Sequence, residues 1–263
     1  MELNLKGRAI SYSEPALFLL MALYGAILAA FDLLFKQRRP QDLLNLSKFA
    51  DHAFGTFWLM VAPQLAEREV EKGVPALVAS ASGTIIEIGP GSGNQVSRYD
   101  RSKVTKIYGI EPTASLHPQL RENIKRAGLS DVYTIVPCGV QDVDTLRRYG
   151  VDQEAFDTVL SVQVFCSVPH PKETAAALWK LLKPGGTMIF YEHVKSRDLI
   201  SSKVQDFYNI VWPYALQGCC LNRDTARTFR EAGDWAKVDI QFSAAEDAWL
   251  AIPHISGRLT KAS

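Results

Sequence analysis

A chain of 263 residues is long enough for one large α/β unit with an N-terminal extension, and long enough to bury a full core. Its 29 lysines and arginines nearly balance 28 aspartates and glutamates, for a net charge of +1, and no basic stripe tracks a phosphate backbone, so nucleic acid is not the expected substrate. Cys138, Cys166, Cys219 and Cys220 lack Cys-x-x-Cys spacing, and His52, His117, His170, His193 and His254 are scattered, which predicts a reduced, cytosolic protein without a metal.

The first predicted element is the apolar run from Pro15 to Phe35, with Asp32 as its only charge, close to the ~20 residues that cross a bilayer. Lys6 and Arg8 precede it, while Lys36, Arg38 and Arg39 crowd its far end, an asymmetry that places the following chain in the cytosol. A cleaved signal peptide fits less well, because Glu14 precedes the run and no A-x-A site follows. A buried helix, or one lying in the membrane interface, competes with a spanning one, since Gly25 and Asp32 interrupt the stretch. Residues 1–39 are therefore expected to be a tail and membrane-anchor helix, at an endoplasmic-reticulum or lipid-droplet membrane.

Residues 40–83 carry apolar positions at helical spacing and end in an Ala/Ser/Gly-rich stretch, which predicts a helical cap. Phe49, Phe54, Phe57 and Trp58 pack on the core or line a substrate mouth. From 84 to 263 the pattern alternates. Strands are predicted at 84–89, 104–110, 132–137, 157–162 and 187–194, with helices at 114–127 and 172–182 between them, which implies a doubly wound, Rossmann-like parallel sheet. Helices near 203–214 and 223–231 and strands at 236–242 and 248–259 would close the sheet with a hairpin.

The turn after the first strand, Glu87-Ile88-Gly89-Pro90-Gly91-Ser92-Gly93, supplies three glycines where backbone must approach a ligand, before a helix expected near Asn94. Its G-x-G-x-G spacing differs from the G-x-G-x-x-G of a dinucleotide site, and a carboxylate at Glu87 suits the cationic amino and sulfonium groups of S-adenosylmethionine rather than a pyrophosphate. Glu111, ending the second strand, is placed to accept hydrogen bonds from both ribose hydroxyls. Gln141 and Asp142 follow the third strand; Asp142 either accepts from the adenine amino group or caps a helix. His193 follows the fifth strand, where it would deprotonate or orient an acceptor, or simply hold structure. Phe207, Tyr208, Trp212 and Tyr214 either wall an apolar pocket or pack in the core.

The ordered segments EIGPGSG, YGIEP, CGVQD, FDTVLSVQVFCSV and LLKPGGTMIFYEHV resemble class I S-adenosylmethionine-dependent methyltransferases. That resemblance implies a seven-stranded sheet of order 3-2-1-4-5-7-6 with one antiparallel strand. FCSVPHP, LKPGG, EHV, QGCCLNRDT and PHISGRLTK, with the hydrophobic N-terminus, further resemble the membrane-anchored methyltransferase-like 7 family of thiol S-methyltransferases, although GSGNQ stands where a G-T-G-A-N type of loop is expected. The implied activity is methylation of a small lipophilic acceptor, a thiol first and an oxygen or nitrogen second. A non-catalytic cofactor-binding partner of a membrane enzyme and a nicotinamide oxidoreductase are the readings from other classes.

Overall fold

The computed structural model describes residues 4–243 and 246–263. The apolar, β-branched runs form β1 (Gly83–Ile88), β2 (Val104–Ile110), β3 (Tyr133–Val136), β4 (Phe156–Val162), β5 (Leu182–His193), β6 (Trp235–Phe242) and β7 (His254–Lys261). They make one seven-stranded sheet ordered β3-β2-β1-β4-β5-β7-β6. β1 to β5 pair in parallel, and β7 runs antiparallel to both β5 and β6. This is the Rossmann-like sheet and strand order that the resemblance implies.

Alternate side chains of each strand feed two cores. Ile86, Ile88, Val159, Met188 and Phe190 face α5 (Val143–Arg148), α6 (Pro171–Leu181) and α9 (Thr225–Arg230), through Leu146, Leu178 and Phe229. Ile85, Leu160, Ile189 and Tyr191 share the other core with Val74 and Val78 of α3 (Val74–Ala79) and with Leu120 and Ile124 of α4 (His117–Arg126). Being covered on both faces, the central strands need no polar face.

Several segments differ from their predicted form: β5 starts at Leu182 rather than at 187, and the helix expected near 203–214 is two, Leu199–Tyr208 and Trp212–Ala215. No α-helix starts at Asn94: the chain makes turns and a short 3-10 helix, Val96–Arg98, because Asn94, Gln95 and Arg98 spend their side chains on a neighbouring helix. The last strand starts at His254 rather than at 248, since 248–253 is turn and loop.

The N-terminal apolar stretch is α1 (Leu5–Phe31), capped by the Asn4 side chain and continued by one π-helical stretch, Asp32–Lys36. α1 lies against α2 (Leu46–Glu71), with Ala22, Gly25 and Ala29 buried. A Cβ on Gly25 would stand 3.0 Å from the Phe57 backbone, so glycine sets the helix separation. Both ends are tied to the domain. Arg8 pairs with Asp198 at 3.1 Å, and Asp32, the lone charge of the apolar run, meets His52 of α2 at 3.0 Å. α1 also touches α7 (Leu199–Tyr208) and α8 (Trp212–Ala215). Leu20, Leu23, Ile27, Phe31 and Phe35 point outward from this face, and so do Phe207, Ile210 and Tyr214.

Candidate active site

The sheet order reverses between β1 and β4, and at such a switch point the loops leaving the two strands diverge and open a crevice. Here the crevice is a cavity of ≈ 530 Å³, in the range of small-molecule sites. Its floor comes from the carboxyl ends of β1 to β5, and its roof from Phe54, Phe57 and Trp58 of α2, with Phe18 of α1 and Trp212 of α8. Phe54, Phe57 and Trp58 thus line the mouth, whereas Phe49 is not among the lining residues; Phe207 and Tyr214 face outward.

The glycine loop explains its own composition. Gly89, Gly91 and Gly93 have φ of 56°, 58° and 86°, in the left-handed region. A Cβ at Gly91 would lie 2.7 Å from Trp58 Nε1, so the lid rests on bare backbone there. Gly89 and Gly91 line the cavity, while Gly93 gives room to Leu120 of the core instead. Glu111 is buried at the cavity wall and accepts from Gly91 N–H and Thr113 N–H, each at 2.8 Å. Burial pushes its carboxyl above the usual range, and those two donors pull the other way.

Glu87 is not among the residues lining the main cavity. Its side chain lines a small recess beneath the loop and accepts a 2.7 Å hydrogen bond from Tyr133. Tyr133 reaches it by crossing β2 at Gly109, where any Cβ would stand 2.3 Å from the phenol oxygen. Burial lifts the Glu87 carboxyl to about 7, against the Tyr133 hydrogen bond. Gln141 lines the cavity. Asp142 does not: it caps α5, accepting from Thr145 N–H at 3.1 Å, so the capping alternative describes it.

Sequence reading missed the fastening of α2. Glu69, buried near its end, accepts from Gln95 at 2.9 Å and Gln163 at 2.7 Å and pairs with Arg98 at 2.5 Å. At the other end Asp51 accepts from Ala114 N–H and Ser115 N–H, at 3.0 and 3.1 Å. The helix is thereby pinned to the loops after β1, β2 and β4. Gln163 holds φ of 56° just past β4, a strained backbone at a site wall. The only early signal was Glu69, an acid whose helical neighbours alternate in charge; its partners come from distant loops.

On the β4–β5 side lie His193, Cys166 and Cys219, all buried yet lining the cavity. Residues scattered in sequence are therefore adjacent in space. His193 Nε2 is 3.3 Å from Cys219 Sγ, and among the described residues Nδ1 has no hydrogen-bond partner. Beside it Glu192 is fully occupied, accepting from Ser161 at 2.7 Å, Val164 N–H at 3.3 Å and Phe165 N–H at 3.0 Å. Burial raises its carboxyl to about 7. His254, paired across strands with His193, donates its backbone N–H to Glu246 at 2.7 Å, and its ring meets the same carboxylate.

Residues 63–236 match the family model described as a methyltransferase domain. The chain is 26% identical over 184 residues to thiol S-methyltransferase TMT1B of Rattus norvegicus, covering 68% of this chain and 70% of that protein. Its fold is similar to an O-methyltransferase family protein from Burkholderia thailandensis, with a TM-score of 0.60, 13% identity, and 95% and 72% of the two chains covered. It is also similar to the N-methyltransferase NodS of Bradyrhizobium japonicum WM9, solved with S-adenosyl-l-homocysteine, at a TM-score of 0.52, 13% identity, and 75% and 88% coverage.

The raised carboxyls give a stability profile with a definite sign. A folded-state value near 7 against an ordinary one near 4.5 means that the folded chain binds the extra proton, so this stabilisation is complete below about pH 4.5 and lost as pH rises through 7. Urea unfolding of the ligand-free protein between pH 5 and 8 is expected to show stability falling with pH. Glu87→Gln, which keeps an acceptor for Tyr133, should flatten that slope by about 1–3 kcal/mol.

Proposed function

The chain belongs to the methyltransferase-domain family and is an S-adenosylmethionine-dependent methyltransferase, and from that premise we propose that its acceptor is a small lipophilic thiol. When bound, S-adenosylmethionine supplies a methyl group on a positively charged sulfur, so the chain's own task is to align, desolvate and handle one proton. The residues fit that cofactor. Glu111 presents a buried carboxylate toward a ribose, the bare backbone of Gly89 and Gly91 admits close approach, and Gln141 stands beyond Glu111 on the side where a base would lie. Glu87 acts from underneath, holding β1 and the recess below the loop.

The observation that carries the thiol reading is the state of the carboxylates around the cavity. Glu69 is paired with Arg98, Glu246 with Lys72 and His254, and Glu14 with Arg68 at 3.6 Å; Glu192, just behind the wall, has three donors. The oxygens of Glu69, Glu246 and Glu192 are thus already engaged by donors rather than presented to an alcohol or phenol. A cysteine-type thiol, ionising at ~8.5, needs less help from a base at neutral pH than an alcohol or phenol does. His193 then stands as the group that meets the acceptor's reacting atom. The name of the rat relative points the same way. Purified protein incubated with S-adenosylmethionine and matched alkyl thiols, phenols and amines is expected to turn over thiols at least ~100-fold faster in kcat/KM, and His193→Ala to cut kcat by ~10²-fold. Turnover of phenols or amines without thiols would favour the oxygen or nitrogen reading; cofactor binding without any turnover would favour a non-catalytic partner.

We infer in addition that α1 lies in the membrane interface rather than across it. One helical segment, Leu5–Lys36, is long and apolar enough to span. Its two ends, however, are bonded to the domain through Arg8 and Asp32, and its outward leucines and phenylalanines join those of α7 and α8 into one apolar face. Such a monotopic seat keeps the whole chain on the cytosolic side and opens a lipophilic route past Phe18 and Trp212 into the cavity. Flotation with liposomes should recover the protein, and Leu20→Asp with Ile27→Asp should reduce recovery ~10-fold or more.

A further inference from the structure

Cys166, His193 and Cys219 arrive from three different segments: the loop after β4, the end of β5 and the loop after α8. One ligand atom from each, two sulfurs and a ring nitrogen, lies within 4.8 Å of the other two. His193 Nε2 and Cys219 Sγ are 3.3 Å apart. Metal–sulfur bonds of ~2.3 Å and metal–nitrogen bonds of ~2.0 Å at tetrahedral angles separate ligand atoms by about 3.5–3.8 Å, which is the scale of this cluster.

His193 is 7% exposed, its Nε2 lies 3.3 Å from Cys219 Sγ, and among the described residues Nδ1 has no hydrogen-bond partner. A buried imidazole kept for structure collects hydrogen bonds; this one is held almost bare among thiols. All three residues border the cavity, on the β4–β5 side of the switch point, opposite the Glu111 and Gln141 side. Cys220, the next residue in the chain, is outside the cluster and lies 3.8 Å from an Arg223 nitrogen.

We propose that Cys166, His193 and Cys219 form a three-ligand site for a zinc-type cation whose fourth position opens into the acceptor side of the cavity. Two thiolates and an imidazole select a soft or borderline cation over magnesium or calcium. Three protein ligands with one open position is the arrangement of catalytic rather than structural zinc. Cys166 and Cys219 release their thiol protons to solvent as the cation binds. An alkyl thiol taking the fourth position would likewise release its proton to solvent, so its sulfur would be held as a thiolate at a pH where the free thiol is mostly protonated. His193 is then a ligand that holds the cation rather than a base. The cation site stands on the geometry alone; the acceptor thiol as fourth ligand rests on the methyltransferase reading.

Reduced full-length protein, stripped with a chelator and titrated anaerobically with Co²⁺, tests the site by its absorption spectrum. Expected are one Co²⁺ per chain, a sulfur-to-cobalt charge-transfer band, and tetrahedral ligand-field bands that shift when a short alkyl thiol is added. Cys166→Ser and Cys219→Ser should each weaken Co²⁺ by about 100-fold or more, with Cys220→Ser unchanged. S-adenosylhomocysteine binding, followed by calorimetry, should persist in the serine variants and shows that they are folded; if one is not, His193→Gln replaces it. The proposal is overturned if the wild type takes up neither Co²⁺ nor Zn²⁺, if Cys219→Ser binds like the wild type, or if added thiol leaves the spectrum unchanged. The spectrum requires no methyl transfer. Failure here therefore leaves the transferase reading intact, and intact spectra without thiol turnover count against the thiol acceptor alone.

Discussion

The buried carboxylate of Glu111 ties together the two loops that form the wall of the crevice. It receives one backbone N–H from the glycine loop after β1 and another from Thr113 in the loop after β2, across the place where the two loops form the wall of the crevice. A carboxylate in so little water is costly unless such donors satisfy it, which makes the loop geometry and the charge mutually dependent. The lid depends on the same loop. Trp58 closes over Gly91, and Glu69 collects Gln95, Arg98 and Gln163, so α2 can cover the cavity only where the loop is held.

The cavity consequently has two sides of different chemistry. Toward β1–β3 it offers glycine backbone, Glu111 and Gln141; toward β4–β5 it offers two thiols, two imidazoles and aromatic walls, with its carboxylates already paired. On the second side the charges stand in pairs, Glu14 with Arg68 and Glu246 with Lys72. Phe18 of α1 and Trp212 of α8 give the second side apolar walls.

Much of this was legible in the sequence because the features are local. Strand β2 follows directly from its apolar run, and G-x-G-x-G, YGIEP and the fifth-strand histidine lie next to strand ends that periodicity locates. What escaped was set by tertiary contact. Asn94 and Gln95 follow the glycines as a helix start would, yet they serve α2 and leave only a 3-10 turn. Glu87 reads as a residue facing the ligand, but the absence of a side chain at Gly109 lets Tyr133 claim it. Asp142 could be read two ways from sequence, and the backbone of α5 took it as a cap. Cys166 and Cys219 are 53 positions apart, and only the return of the chain after α8 places both beside His193.

The position of a bound nucleoside distinguishes the two sides of the cavity most directly. A crystal structure with S-adenosylhomocysteine bound should show its ribose hydroxyls on Glu111, its adenine toward Gln141, and its thioether sulfur facing the Cys166–His193–Cys219 wall beneath Trp58. A nucleoside seated on the β4–β5 side with its sulfur turned toward β3, or bound outside the α2 lid, would contradict this placement.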